Sequence, residues 1–200
     1  NLNADGTGVK YATIDAINGG IVKLTDNQTI AGVKTFSSDV LINGLTIGKG
    51  TGNISTNIAV GPSVLLSNTT GTDNTASGNL ALRNNSTGIA NTAHGSRALQ
   101  ANTTGSNNTA NGLSALQFNT AGSNNTANGS LSLESNLGSN NVAVGGNSGR
   151  FIADKATAAT ILNNSVMLGF NTSPLADNQT NQLVVGHNAI GLGSNTSVLG

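Results

Sequence analysis

The stretch from residue 74 to residue 124 decides the fold. It reads NTASGNLALRNNSTGIA (74–90), NTAHGSRALQANTTGSN (91–107) and NTANGLSALQFNTAGSN (108–124), which are three copies of one 17-residue unit. Seventeen residues are too few for a helical-hairpin repeat, and the 3.6-residue apolar pattern of an amphipathic helix is missing. The unit therefore predicts a stack of β-structured coils.

Four columns of identical residues extend this register to neighbouring copies. The glycine columns are Gly61, Gly78, Gly95, Gly112, Gly129 and Gly145, and Gly71, Gly88, Gly105, Gly122 and Gly138. The leucine column is Leu65, Leu82, Leu99, Leu116 and Leu133, and the asparagine column is Asn68, Asn85, Asn102, Asn119 and Asn136. Four columns in one register exclude a chance resemblance between copies. We treat these positions as the structural repeat.

Each unit predicts two short strands and two turns. The first strand is Asn-Thr-Ala-x-Gly, the second contains the Ala-Leu pair, and Asn-rich Gly turns connect them. Coils stacked at about 4.8 Å would place like residues above one another. The asparagines would then act in turns or bond to one another along the stack.

The alternation within the first strand predicts association between chains. Its central residue is Ala in every copy, and its two neighbours point to the opposite face. Those neighbours are apolar at both ends of the repeat, as in Ile58 with Val60 and Val142 with Val144, and polar in the middle. A thin coil cannot bury both of its faces, so we expect burial against sister chains.

We predict an all-β chain, a parallel β-roll or β-solenoid of about 17-residue coils, in three parts. Residues 1–50 form an N-terminal β connector module, with short strands expected in 25–36 and 40–48. Residues 51–145 form the repeat, and residues 146–200 form modified coils. An inserted loop is expected at 150–163.

Composition and motifs argue against several functions. Charged residues make up 8% and the net charge is zero, so no basic surface predicts nucleic-acid binding. No apolar stretch approaches a membrane span, and cysteine is missing. His94 and His187 lack partners at metal-ligand spacing, and Asp73 and Glu134 fall in different columns. We therefore expect no enzyme, no metal site and no cofactor.

Several segments resemble bacteriophage tail fibres. DNQTIAGVKTF (26–36) and VLINGLTIG (40–48) are similar to fibre segments. The repeat (74–141) resembles fibre repeats that precede an endosialidase-type intramolecular chaperone, and NQLVVGHNAIGLGSNTSVLG (181–200) is similar to the strand just upstream of that chaperone. The repeat also resembles the β-roll heads of trimeric autotransporter adhesins.

The resemblance implies an intertwined homotrimer that attaches to a cell surface with other tail proteins as partners. We expect a virion-tail location, with the bacterial cell surface as the alternative. No chaperone segment is recognisable here, so it is cleaved away, lies outside this sequence or is lacking. The middle strands are polar where adhesin heads carry Val or Ile, and no coiled-coil stalk follows. The phage-fibre assignment is therefore favoured.

Receptor contact is expected from side chains after the leucine column, which differ between coils; the alternative is that they form an ordinary solvated surface. They are Arg83, Gln100, Gln117, Phe118 and Glu134. The receptor would be a glycan or a protein of a bacterial surface. Two other functions stay open: an ice-binding solenoid, based on the ladder of Thr75, Thr92, Thr109 and Thr126, and a depolymerase that uses Asp73 and Glu134.

Overall fold

The computed structural model describes residues 39–43 and 45–200, which form a β-solenoid with no helix in that range. Within this described part, eleven strands build one sheet in the order β1-β2-β3-β4-β5-β6-β7-β8-β10-β12-β13, and β9 pairs with β11. The strands are β1 Val40–Ile42, β2 Leu45–Gly48, β3 Ile58–Val60, β4 Thr75–Ser77, β5 Thr92–His94, β6 Thr109–Asn111, β7 Thr126–Asn128, β8 Val142–Val144, β9 Leu162–Asn163, β10 Val166–Leu168, β11 Gln179–Thr180, β12 Leu183–Val185 and β13 Ser197–Leu199. The all-β solenoid is thus confirmed.

From β3 onward, each coil contributes one parallel strand to this sheet. The register places Ala76 opposite Ala93 and Thr75 opposite Thr92, so that equivalent residues of the repeat are neighbours. About eight coils follow one another, roughly 17 residues apart. A longer step separates Val142 from Val166 and contains the predicted insertion.

An antiparallel hairpin continues the sheet beyond the first coil. β1 pairs with β2, with Val40 opposite Ile47, and β2 pairs antiparallel with β3, with Gly48 opposite Ala59. The Asp39 carboxylate accepts hydrogen bonds from the amides of Lys49 (2.7 Å) and Gly50 (2.9 Å). Strands predicted within 40–48 are present, whereas those predicted within 25–36 lie outside the described residues.

One prediction about the coil is wrong, because the Ala-Leu segment is not a second strand. The amide of Ala81 donates to the carbonyl of Gly78 (3.2 Å), and that of Arg83 donates to Leu80 (3.3 Å), so two tight turns follow each other. Their third residues, Leu80 and Leu82, have φ of 62° and 48°. A coil this narrow has to reverse direction within a few residues, and a second extended strand would leave no room for that.

The leucine column adopts this left-handed conformation in all five of its coils. The φ values are 47° (Leu65), 48° (Leu82), 51° (Leu99), 51° (Leu116) and 47° (Leu133). A non-glycine residue loses about 1–2 kcal/mol in this region. Each of these leucines is completely buried, and burying a Leu side chain contributes about 1.5–3 kcal/mol. Burial therefore offsets the backbone strain.

The core consists of small side chains in columns. The central residue of the repeated strand is fully buried in the repeat, as predicted, and the column continues with larger residues toward the C-terminal coils. Its members are Ala59, Ala76, Ala93, Ala110, Ala127, Ala143, Met167 and Val184. The leucine column packs in the same cluster. Stacking of equal residues fills a core that is only a few side chains wide.

Two ladders of buried asparagine stabilise the corners. In one, the Asn102 amide donates to Asn85 Oδ1 (2.8 Å) and to the Gly105 carbonyl (2.9 Å). In the other, the Asn91 amide donates to Asn74 Oδ1 (3.1 Å) and to the same Gly105 carbonyl (2.9 Å). Each amide thus bonds within its own coil and to the next one. The predicted asparagine ladder is confirmed.

The second glycine column is required by this close packing. A Cβ added at Gly71 would lie 2.6 Å from Asn68 Oδ1 and 2.8 Å from Asn85 Nδ2. Both atoms belong to the buried ladder, so neither can move without breaking a hydrogen bond. Any side chain at this corner would therefore separate the coils.

Candidate functional site

The first and third residues of the parallel strands form a regular surface, which we call the outer sheet face. Side chains alternate along a strand, so these residues face away from the alanine column. We call the first and third residues of one strand a rung. The polar rungs are Thr75 with Ser77, Thr92 with His94, Thr109 with Asn111, and Thr126 with Asn128. The apolar rungs are Ile58 with Val60, Val142 with Val144, Val166 with Leu168, and Leu183 with Val185.

The apolar rungs leave a sizeable hydrophobic surface exposed in the described part of the chain. Val144 is 43% exposed, and Ile58, at the other end of the repeat, is 54% exposed. Val144, Leu168, Val185 and Leu199 follow one another in register. At about 4.8 Å per rung they form a ridge about 14 Å long. Val144 and Leu199 in this row are exposed, whereas Leu168 and Val185 are half-buried. Such a row of apolar side chains makes this face a candidate interaction surface.

The polar rungs carry a regular threonine ladder. Thr75, Thr92 and Thr109 lie opposite one another, and Thr126 continues the row. All four are half-buried. The third position of these rungs changes from Ser to His to Asn, so the two columns together do not form the uniform lattice that ice binding needs.

The expected receptor residues lie along one edge of the stack, and the side chains of three of them form hydrogen bonds between coils. The Gln117 amide donates to Gln100 Oε1 (3.1 Å), and Glu134 accepts a hydrogen bond from Arg150 Nε (2.6 Å) in an ion pair. Their polar ends are therefore engaged along the stack. Arg83 is half-buried in the same column, and Phe118, in the next column, is 48% exposed. Of the five, Phe118 presents the largest free apolar surface.

The insertion is a loop with internal hydrogen bonds that begins beside this edge. Phe151 forms an antiparallel bridge with Ala158, and the Arg150 guanidinium lies 4.5 Å from the centre of the Phe151 ring. The Asp154 carboxylate accepts hydrogen bonds from the amides of Ala156 and Thr157 and from the Thr157 hydroxyl. These bonds, the hydroxyl bond foremost, lower the pKa of Asp154. The last two residues of the predicted insertion, 162 and 163, belong to β9.

Two further side chains anchor the loop to the coils below it. Lys155 donates through Nζ to the Asn171 carbonyl (2.5 Å) and to Ser173 Oγ (2.7 Å), and burial lowers its pKa. Asp177 accepts hydrogen bonds from the amides of Thr160 (2.9 Å) and Ile161 (2.7 Å) and from the Thr160 hydroxyl. Burial raises the pKa of Asp177, but these hydrogen bonds outweigh it, so the pKa lies below its usual 3.8.

The structure does not bring Asp73 and Glu134 of one chain together. Asp73 is exposed, and Glu134, which is ion-paired, belongs to a coil more than three coils away, on the order of 15 Å along the stack. A glycosidase pair needs a separation of about 5–10 Å. Within the described range, no three His, Cys, Asp or Glu side chains lie together. Asp73 and Glu134 of one chain are thus too far apart to act as the carboxylate pair of the hydrolytic alternative.

No known protein family matches this chain, and neither does any curated protein or solved structure. In the part of the chain that the structure describes, no helix has the length and apolar character to cross a membrane. The geometry of the outer sheet face is therefore the main guide to function.

Proposed function

We propose that this chain is a segment of a homotrimeric attachment fibre, in which the outer sheet faces of three copies meet around a common axis. The observation that carries the proposal is the exposed apolar surface at both ends of that face, exemplified by Ile58 and Val144. Exposed valine and leucine side chains on a sheet gain free energy when another sheet face buries them. Three-fold symmetry is taken from the resemblance to phage fibres.

A second copy of the same chain fits this surface better than an unrelated partner. Equal rungs lie at equal heights in a parallel symmetric assembly, so apolar rungs meet apolar rungs and polar rungs meet polar rungs. No Asp, Glu, Lys or Arg occupies the first or third position of the parallel strands. The face therefore meets its own copy without repulsion between like charges.

The mass of the full chain in solution tests the assembly. We expect a species of about three times the chain mass of 19.8 kDa, measured by light scattering after size exclusion at micromolar concentration. A folded monomer over the same concentration range contradicts the proposal.

The attachment role follows from the phage-fibre assignment, with a virion-tail location and other tail proteins as partners. A bacterial adhesin head is the second candidate, favoured by the similarity of the repeat to such heads. Binding of the labelled trimer to bacterial cells and to arrayed surface glycans tests attachment. The variant Phe118→Ala should weaken that binding while the mass stays unchanged. If this variant binds as strongly as the parent chain, Phe118 is not part of the receptor-binding surface.

A further inference from the structure

His94 is the one ionisable side chain on the outer sheet face of the described strands. It is the third residue of β5 and is exposed, and it lies opposite Ser77 on one side and Asn111 on the other. The other described histidine, His187, stacks on Phe170 with ring centres 5.6 Å apart, and it follows Gly186 outside the strands. His94 therefore occupies the face that the proposed trimer would bury.

In the proposed trimer the outer sheet faces surround the axis, so the three copies of His94 lie at one height and face that axis. Chains related by a rotation axis place identical residues at identical heights, so a single histidine per chain becomes a ring of three imidazoles. The neighbouring rungs carry only Ser, Thr and Asn, which are small enough for the sheets to approach closely. Within one chain the described residues offer no such cluster. The site is complete only when three copies meet.

We infer that the three His94 side chains of the trimer bind one divalent transition-metal ion of the Zn²⁺ type. This inference rests on the trimer proposed above. Neutral imidazole is a preferred ligand of Zn²⁺, Co²⁺, Ni²⁺ and Cu²⁺, and three histidines with one open position form a common zinc-binding set. The described face offers no carboxylate, which is the anionic ligand that Ca²⁺ and Mg²⁺ sites in proteins usually contain.

The adjacent rungs supply the surroundings that such a site needs. Ser77 and Asn111 are about 4.8 Å away along the sheet, so their side-chain oxygens can accept a hydrogen bond from the ring N–H that does not bind metal. The apolar rungs at Ile58 and at Val142 lie at the two ends of the polar stretch and restrict the entry of water. A metal at this level would link the three chains midway along the repeat.

Native mass spectrometry of the metal-stripped full chain with added Zn²⁺ tests the inference. We expect one Zn²⁺ per three chains, none with Mg²⁺, and with Co²⁺ an absorption band in the visible range. The matched variant is His94→Asn, because Asn111 and Asn128 occupy the same column. It should remain a trimer and bind at least tenfold less Zn²⁺. The control His187→Asn should bind Zn²⁺ like the parent chain.

The outcomes separate the two proposals. A parent chain that stays monomeric with and without Zn²⁺ overturns the trimer and the site together. A trimer that takes up no Zn²⁺, or a His94→Asn variant that binds it as the parent does, overturns the metal site and leaves the trimer standing.

Discussion

The replacement Val144→Asn tests whether the outer sheet face drives assembly. Val144 is 43% exposed in the single chain, and its neighbour in register, Asn128, shows that asparagine is accommodated in this column. The variant should therefore fold normally. Its effect should appear only when chains associate.

The size of the effect follows from the exposed fraction. Burying a whole Val side chain contributes about 1.5–3 kcal/mol, so the 43% left exposed is worth about 0.6–1.3 kcal/mol per chain. Three chains lose about 2–4 kcal/mol together, which lowers the trimer association constant by about 30- to 1,000-fold. Because three chains combine, the concentration at half-assembly should rise about 5- to 30-fold.

Sedimentation velocity over a dilution series measures that concentration. The control is Ile89→Ser, because Ile89 is 45% exposed but lies in the turn before β5, in line with Ser106. The control should assemble like the parent chain. If Val144→Asn assembles at the parent concentration, or if the control weakens assembly equally, the outer sheet face is not the contact between chains.

Three further predictions concern stability. Leu99→Ala should cost about 2–5 kcal/mol in the free energy of unfolding, measured by urea titration, because a fully buried side chain leaves a cavity. Asn102→Ala should cost about 1–3 kcal/mol by leaving buried ladder partners unpaired. The exposed Asn79, replaced by Ala, should cost under about 0.5 kcal/mol. Equal losses would show that the ladder adds nothing. The pKa of Asp177 is lowered from its usual 3.8, so its contribution is complete above that value and is lost as pH falls through the lowered pKa. Amide exchange at Thr160 should accelerate on acidification relative to the rest of the coil, and Asp177→Asn should show no such step.

The repeat made the outline of the fold predictable from the sequence. A central alanine between two variable residues identifies which side chains point inward, and the 17-residue register aligns each column. The asparagine ladder could be expected for the same reason, since equal residues above one another at about 4.8 Å are in reach of a hydrogen bond. The insertion was visible as a longer step between Gly145 and Gly169.

The backbone path within a coil was not predictable in this way. Leu82 favours a strand by its apolar pattern, yet it has a left-handed φ, because closure of a narrow coil outweighs the local preference. The pairing of Gln100 with Gln117 and of Glu134 with Arg150 also appeared only in the structure. Variable residues in one column suggested a free surface, but stacking brings their polar ends together.

One turn near the end of the repeat lacks a residue, which is visible in the sequence, but its effect on the hydrogen bonds appears only in the structure. The turn from Asn136 to Gly138 is one residue shorter than the turn from Asn119 to Gly122. At the shorter turn, Asn136 Oδ1 accepts a hydrogen bond from the Leu162 amide (2.7 Å). Asn119 Oδ1 is buried without a hydrogen-bond partner among the described residues. The sequence by itself determined the repeat, its register and its inward-facing columns, because those depend only on periodicity. The tertiary structure decided which polar atoms meet, because that depends on where each turn places its side chains.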